Sequence, residues 1–294
     1  MANVQDVELL RKLEALLNLP DLPRIADIGA NPMNHAAPYA DFLKHGFCTV
    51  TGFEPQEDTM RELIEQKSDL ETYLPDAVGD GETHTLNLYR GFGLASIFTI
   101  RGQTLGYLRG LRRAARPQGT INIKTSRLDD ISEVGRVDLL KIDIQGGELS
   151  VFENGARTLG SVLAVQTEVN FFPLYDDQPG FGEIDVYLRQ FGLVPHSFQH
   201  IEKRIVLSKW GSAMNNRHAA QMLDGDILYL RDLSKPDALS SHDLGRMALI
   251  SAGVYGLTDV TLRCLELLQM RAEIEEADLE AYLEGLDLES LQAG

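Results

Sequence analysis

The sequence predicts an α/β fold: an open sheet flanked by helices, with one helix ahead of it and a helical extension behind. Three stretches carry that prediction. IADIGANP (25–32) runs apolar residues up to Asp27 and then turns on Gly29, Ala30 and Asn31, as a first strand does at its carboxyl end. VDLLKIDIQGGEL (137–149) is a nearly continuous apolar run that ends in Asp143 and a Gly146–Gly147 pair. Such runs mark central parallel strands buried on both faces. VLAVQTEVN (162–170) repeats the pattern one helix later.

Ahead of the sheet, Val7, Leu10, Leu13, Leu16 and Leu17 recur at helical spacing over 5–18, and Pro20 and Pro23 end that helix. The first strand covers 24–28 and is followed by a helix over 36–45. FCTVTGFE (47–54) is a second, β-branched strand ending in Glu54 and Pro55, followed by a helix at 58–66. A third strand at 72–78 is broken by Pro75, and alternation in THTLNLY (83–89) indicates a hairpin or edge strand. Residues 91–118, rich in glycine and arginine, read as an irregular segment that includes a mobile substrate lid. A strand at 120–128 precedes the central one; helices follow at 148–159 and 183–191. Strands at 193–198, 203–208 and 226–231 complete the sheet with an antiparallel edge.

SKPDALSSHD (234–243) is a linker by composition, so the chain divides into a domain of residues 1–232 and an extension of 233–294. Leu244, Met247, Ile250 and Val254 share one helical face of the extension, and Leu262, Leu265 and Leu268 another. Residues 232–294 hold 13 acidic and 4 basic side chains, the mark of a solvated helical cap. Apolar faces of that length must nevertheless pack on the sheet domain, on a second copy in a homodimer or on another protein, and docking on the sheet domain near the exit strand is expected.

With 294 residues, 44% of them hydrophobic, the chain can bury one large core. No apolar run reaches the roughly 18 residues of a membrane helix, and MANVQDVELL lacks the basic and apolar regions of a signal peptide. Cys48 and Cys264 have no metal-ligand spacing, which fits reduced thiols and a cytoplasmic location. The net charge of −17 argues against nucleic acid and against anionic membranes as partners, and favours an uncharged acceptor.

The chemistry gathers at strand ends. Where a dinucleotide-binding turn has a second glycine for the pyrophosphate, this turn has Asn31 and then Pro32. That substitution points to a nucleoside without phosphates, S-adenosylmethionine first among them. Glu54, at the end of the second strand, can accept hydrogen bonds from both ribose hydroxyls. Asp27 can hold a methionine amino group or fix the turn through backbone amides. Ala77 and Val78 offer small apolar surface for an adenine. Lys141 and Asp143 share a face of the central strand, as Glu168 and Asn170 do on the next. Asp143, Glu168 and Asn170 can bind a polyol directly, with a carboxylate as base, or supply three oxygens to a magnesium ion; direct recognition is favoured because the ligand set is sparse. His196 is a further candidate base. Tyr175 either stacks on a sugar or fills the core. Glu148, at a helix start, contacts the acceptor or complements the helix dipole.

IADIGAN, GFEP, AVGDG, VDLLKIDIQGGEL, TEVNFFPLY and GDILYLRDL together resemble the FkbM-type methyltransferases over about residues 20–232. The resemblance implies a Rossmann-like, seven-stranded class I methyltransferase sheet with its last strand reversed. It also implies methyl transfer from S-adenosylmethionine to an oxygen of a sugar, glycan or other small-molecule acceptor, and puts Gly29, Glu54 and Asp143 on the cofactor. Gln145 departs from the glutamate that many relatives carry in this loop, which leaves Asp143 or Glu148 to take any role that glutamate has. A nicotinamide-dependent oxidoreductase, or a cofactor-fold scaffold without catalysis, are the alternatives from other classes.

Overall fold

The computed structural model describes residues 7–31, 36–91 and 93–286; Pro32, the last residue of the first turn, lies outside them. Its strands are β1 (Arg24–Ile28), β2 (Thr49–Phe53), β3 (Glu71–Leu74), β4 (Ala77–Gly79), β5 (Thr83–Tyr89), β6 (Pro117–Arg127), β7 (Leu139–Ile142), β8 (Ala164–Asn170), β9 (Leu193–Arg204) and β10 (Gln221–Arg231). The helices are α1 (Val7–Leu17), α2 (Ala40–Lys44), α3 (Glu57–Gln66), α4 (Gly102–Tyr107), α5 (Glu148–Glu153), α6 (Ala156–Leu159), α7 (Phe181–Arg189), α8 (Ser241–Ile250), α9 (Thr258–Met270) and α10 (Glu276–Leu283).

Among the described residues, seven strands form one sheet in the order β3-β2-β1-β7-β8-β10-β9. The first five of that order run parallel, and β10 is antiparallel to both its neighbours. The reversed strand is β10, the last in chain order, as the resemblance implies, but it lies inside the sheet and not at the antiparallel edge expected from 193–231. The edge is β9, continuous to Arg204, so no separate strand occupies 203–208. Pro75 divides the expected third strand physically: β3 stays in the main sheet, while β4 joins β6 and β5 in a small three-stranded sheet. The expected hairpin partner of β5 is β6.

Two cores cover the two faces of the main sheet. One packs Ile28, Leu140, Val165 and Ile227 against Val151, Phe152, Ile184 and Leu188. The other packs Ile25, Val50, Leu139 and Leu228 against Leu10 and Leu13 of α1, Phe42 of α2, and Leu244, Met247, Cys264 and Leu265 of the extension. Helices α8 and α9 thus belong to the core under one face of the sheet rather than to a solvated cap. Burying an apolar side chain of this size contributes about 1.5–3 kcal/mol, and acidic residues are confined to the outer faces. Gly253 lies so close to Phe42 that a Cβ there would come within 2.3 Å of the ring. Arg246, 6% exposed, pairs with Asp21 at 2.7 Å and ties α8 to the segment entering β1. Cys48 and Cys264 are buried free thiols; burial pushes Cys264 up to about 12.

The segment expected as a lid has its own small core, in which Ile100, Leu108, Leu111 and Ala115 pack on Leu174, Tyr175 and Leu223. No helix among the described residues is long and apolar enough to cross a membrane.

Candidate active site

The carboxyl ends of β1, β2 and β7 open, together with β4 and β5, onto one cavity of about 1280 Å³. On the β1–β2 side the turn is fixed by backbone. Gly29 has φ +85°, and a Cβ on it would stand 2.2 Å from the Asp143 carbonyl oxygen. Only glycine lets the turn pass this close to the β7 loop. The Gly29 and Ala30 amides both donate to the Phe53 carbonyl at 3.1 Å.

Beneath the turn, the register places Asp27, Lys141 and Gln166 side by side across β1, β7 and β8. Lys141 Nζ lies 3.0 Å from Asp27 Oδ1, and the Tyr39 hydroxyl donates to Asp27 Oδ2 at 2.6 Å. Burial alone would lower the Lys141 pKa, but the Asp27 and Asp143 carboxylates outweigh it and hold Lys141 above its ordinary value. Lys141 lines the cavity and is paired with Asp27 beneath the turn. The Tyr255 hydroxyl, from the extension, donates to Gln166 Oε1 at 3.0 Å and completes this row.

Glu54 is 2% exposed, and its Oε1 accepts the Gln56 amide at 2.8 Å. Burial pushes its pKa up; the Gln56 amide opposes the shift and the Asp27 charge adds to it. A buried carboxylate with remaining acceptor capacity on a cavity wall fits a ligand bearing hydroxyl donors. Asn31, Pro55, Ala77 and Val78 line the same cavity. These residues together fit a nucleoside.

Towards β8 the site is built from carboxylates around one amide. Gln145 has φ +59°, and the Ser96 hydroxyl donates to its carbonyl at 2.7 Å. Its Nε2 donates to Asp143 Oδ1 at 3.0 Å and lies 3.1 Å from both Glu168 oxygens. The Tyr175 hydroxyl lies 3.2 Å from both the Gln145 Oε1 and the Leu94 carbonyl, and the acids' oxygens accept from the Gln145 NH₂. Glu148 accepts the Ile144 amide at 2.9 Å and the Gly146 amide at 3.2 Å, so it holds the loop that presents Asp143. One oxygen each from Asp143, Glu148 and Glu168 falls within 4.8 Å of the others. Strand β10 adds Asp226 opposite Glu168 and Asp224 opposite Asn170.

So much negative charge in one place keeps protons bound. Burial, assisted by Asp143, pushes Glu148 up to about 7. Burial and the charges of Asp143 and Glu148 hold Glu168 well above the carboxylate range. Asp224 is raised to about 7 by burial and Glu202, against Arg204.

Asp143, Gln145 and Asp226 line the cavity. Glu148, Glu168, Asn170 and Tyr175 are not part of that lining. Tyr175 is 1% exposed and supports Gln145 through its hydroxyl, so its ring does not face an acceptor. His196 is also corrected. Because β9 runs on to Arg204, His196 sits exposed near the amino end of an edge strand, away from the carboxyl ends that bear the acids. Tyr39, Gln166, Asp226 and Tyr255 were not anticipated. Gln166 alone had a sequence signal, standing two residues before Glu168 on one face.

Residues 27–194 match the family model described as "Methyltransferase FkbM domain". The chain is 30% identical over 211 residues to the 2-O-methyltransferase NoeI of Sinorhizobium fredii (strain NBRC 101917 / NGR234), covering 67% of this chain and 83% of that protein. Among solved structures, a putative methyltransferase from Thermoplasma acidophilum is 11% identical with a TM-score of 0.35, over 73% of this chain and 70% of its own. Magnesium protoporphyrin IX methyltransferase from Synechocystis PCC 6803 is 11% identical with a TM-score of 0.34, over 79% and 85%. Overlaps this weak add nothing to the assignment, which rests on the sequence matches and on the site. The chain belongs to the FkbM methyltransferase family and is an S-adenosylmethionine-dependent methyltransferase.

Proposed function

We propose that the protein methylates a hydroxyl of a sugar, glycan or related small molecule, with Asp143 as the base. One observation carries this reading: Asp143 stands on the cavity wall, oriented by Gln145, in front of the part-buried Glu168. The 2-O-methyltransferase relative supports transfer to oxygen. Glu54 takes the ribose hydroxyls, Gly29, Ala30 and Asn31 admit the methionine end, and Pro55, Ala77 and Val78 hold the adenine. Asp27, already paired with Lys141 and Tyr39, keeps the turn in shape.

S-adenosylmethionine, when bound, supplies an activated methyl group on a sulfonium leaving group. The chain's own part is alignment and proton removal, since an alcohol is a weak nucleophile near neutral pH. Asp143 accepts the acceptor proton. Gln145 keeps that carboxylate turned to the cavity, and burial behind it disfavours the charged form of Glu168. A magnesium ion at Asp143, Glu148 and Glu168 is the second reading, favoured by their closeness. It requires the Gln145 amide to turn away against its Tyr175 bond, so direct recognition is preferred.

The test is methyl transfer from labelled S-adenosylmethionine to a panel of sugars and oligosaccharides, with and without EDTA. An O-methylated product formed in EDTA supports the proposal. Loss of activity in EDTA, restored by magnesium, replaces the base by the metal. Cofactor binding without transfer to any hydroxyl on the panel, while another nucleophile is methylated, removes the hydroxyl assignment.

A further inference from the structure

The total charge of −17 conceals a strong segregation. Residues 83–128 and 203–223 contain twelve of the 27 basic side chains and none of the 44 acidic ones. The two segments are joined in space. The Arg109 amide donates to the Ile205 carbonyl at 2.9 Å and the Leu207 amide to the Tyr107 carbonyl at 2.7 Å. The Arg109 guanidinium binds the Gly211 and Met214 carbonyls, each at 2.8 Å, and the Asn216 side chain. Arg101 and Arg204 meet Asp176 and Glu202. Among the described residues, Arg113, Arg116, Lys209 and Arg217 are exposed and form no ion pair.

Apolar side chains stand in the same place. Tyr107 is 42% exposed, Trp210 72%, Met214 43%, and Val206 and Leu207 are exposed beside them. Lys209 Nζ lies 4.3 Å from the centre of the Trp210 ring. Scattered exposed apolar residues are ordinary, but five on two adjoining segments inside a basic surface are not.

From this we propose that the joined face of α4 and the 205–218 loop docks on an anionic lipid bilayer, with Trp210, Tyr107, Leu207 and Met214 at the headgroup level and the arginines and lysines on lipid phosphates. Basic side chains supply attraction to anionic lipid, and tryptophan and tyrosine favour the bilayer interface. Nucleic acid would use the charges, yet has no use for exposed Val206, Leu207 and Met214. Arg90 and Gln118 belong to the same basic segments and also line the cavity, so docking sets the cap of the active site against the lipid.

The experiment is co-sedimentation of the full chain with phosphatidylcholine vesicles, with and without phosphatidylglycerol, at two salt concentrations. Binding is expected only with phosphatidylglycerol and should weaken as salt screens it. K209E/R217E and, separately, W210S should each lower the bound fraction at least about fivefold. Both are changes to exposed side chains outside the site, so methyl transfer to a soluble acceptor should persist in each. No binding to anionic vesicles by the wild type overturns the proposal, as does undiminished binding by both variants. Displacement from the vesicles by a single-stranded RNA homopolymer at equal phosphate would assign the face to nucleic acid instead, and also overturns it. None of these outcomes depends on the acceptor, so they stand apart from the test of hydroxyl methylation.

Discussion

The two halves of the cavity solve the problem of buried charge in opposite ways. On the β1–β2 side, Asp27 is neutralised by Lys141 and by the Tyr39 hydroxyl, and the turn above it is held by backbone amides. On the β8–β10 side, Asp143, Glu148, Glu168, Asp224 and Asp226 gather around an amide and a phenol, and burial leaves several of them protonated near neutral pH. A compensated half suits a cofactor that must bind in the same pose at each turnover. An under-compensated half suits proton transfer, because its groups change charge within the working pH range.

The comparison can be broken most severely from below. Both halves rest on the extension: Tyr255 reaches Gln166, and α8 and α9 pack under β1, β2 and β7. We propose that residues 233–286 are part of the fold rather than a separate domain. A chain ending at Asp232 should aggregate on expression or lose cooperative unfolding, measured by solubility and thermal melts. A soluble truncated chain with normal cofactor affinity would show the extension to be dispensable.

Next in size, Asp143→Asn should lower kcat by about 10²-fold or more, the range for removal of a positioned base, with cofactor affinity changed only slightly. Equal losses in both would assign Asp143 to the cofactor half. Glu54→Ala should do the reverse, weakening S-adenosylmethionine binding by about 1.5–3 kcal/mol in calorimetry, as expected for hydrogen bonds to a charged group. Unchanged affinity in a folded variant would remove the ribose role.

The smallest effect sharpens the electrostatic contrast. Glu148 is an ordinary carboxyl when unfolded, with a pKa of 4.5, and is raised to about 7 when folded. The folded state therefore binds more protons between these values, and stability from this group is full below pH 4.5 and lost as pH rises through about 7. Glu148→Gln keeps the acceptor for the Ile144 and Gly146 amides but cannot ionise. It should flatten that decline and gain on the order of 1–2 kcal/mol at pH 8 relative to the wild type. Denaturant unfolding across pH checks it; parallel pH curves for both proteins would mean that Glu148 is charged in the fold.

The cofactor side was legible because its chemistry is local. Asp27, Gly29, Glu54, Pro55, Ala77 and Val78 each lie within a few residues of a strand end that hydrophobic pattern and β-branching mark out. Gly29 could be read from the turn it makes, and β7 from its unbroken apolar run. The central topology of the main sheet also followed, since buried parallel strands and the resemblance of several motifs agreed on it. His196 was misplaced because a strand's length, and so which of its ends a residue occupies, is set by pairing with β10 and not by its own composition.

What sequence determined by itself was therefore the fold class, the family and the first turn, all encoded in contiguous residues. Tertiary structure decided the rest. Only the register of β7, β8 and β10 brings Gln145, Glu168 and Asp226 together, and only their mutual burial raises the carboxyls' affinity for protons. The extension reads as acidic and linker-bound along the chain, yet its apolar faces complete the sheet's second core. Net charge could not show the basic segments for the same reason. It sums over the chain, whereas a surface is made of whichever segments the fold sets side by side.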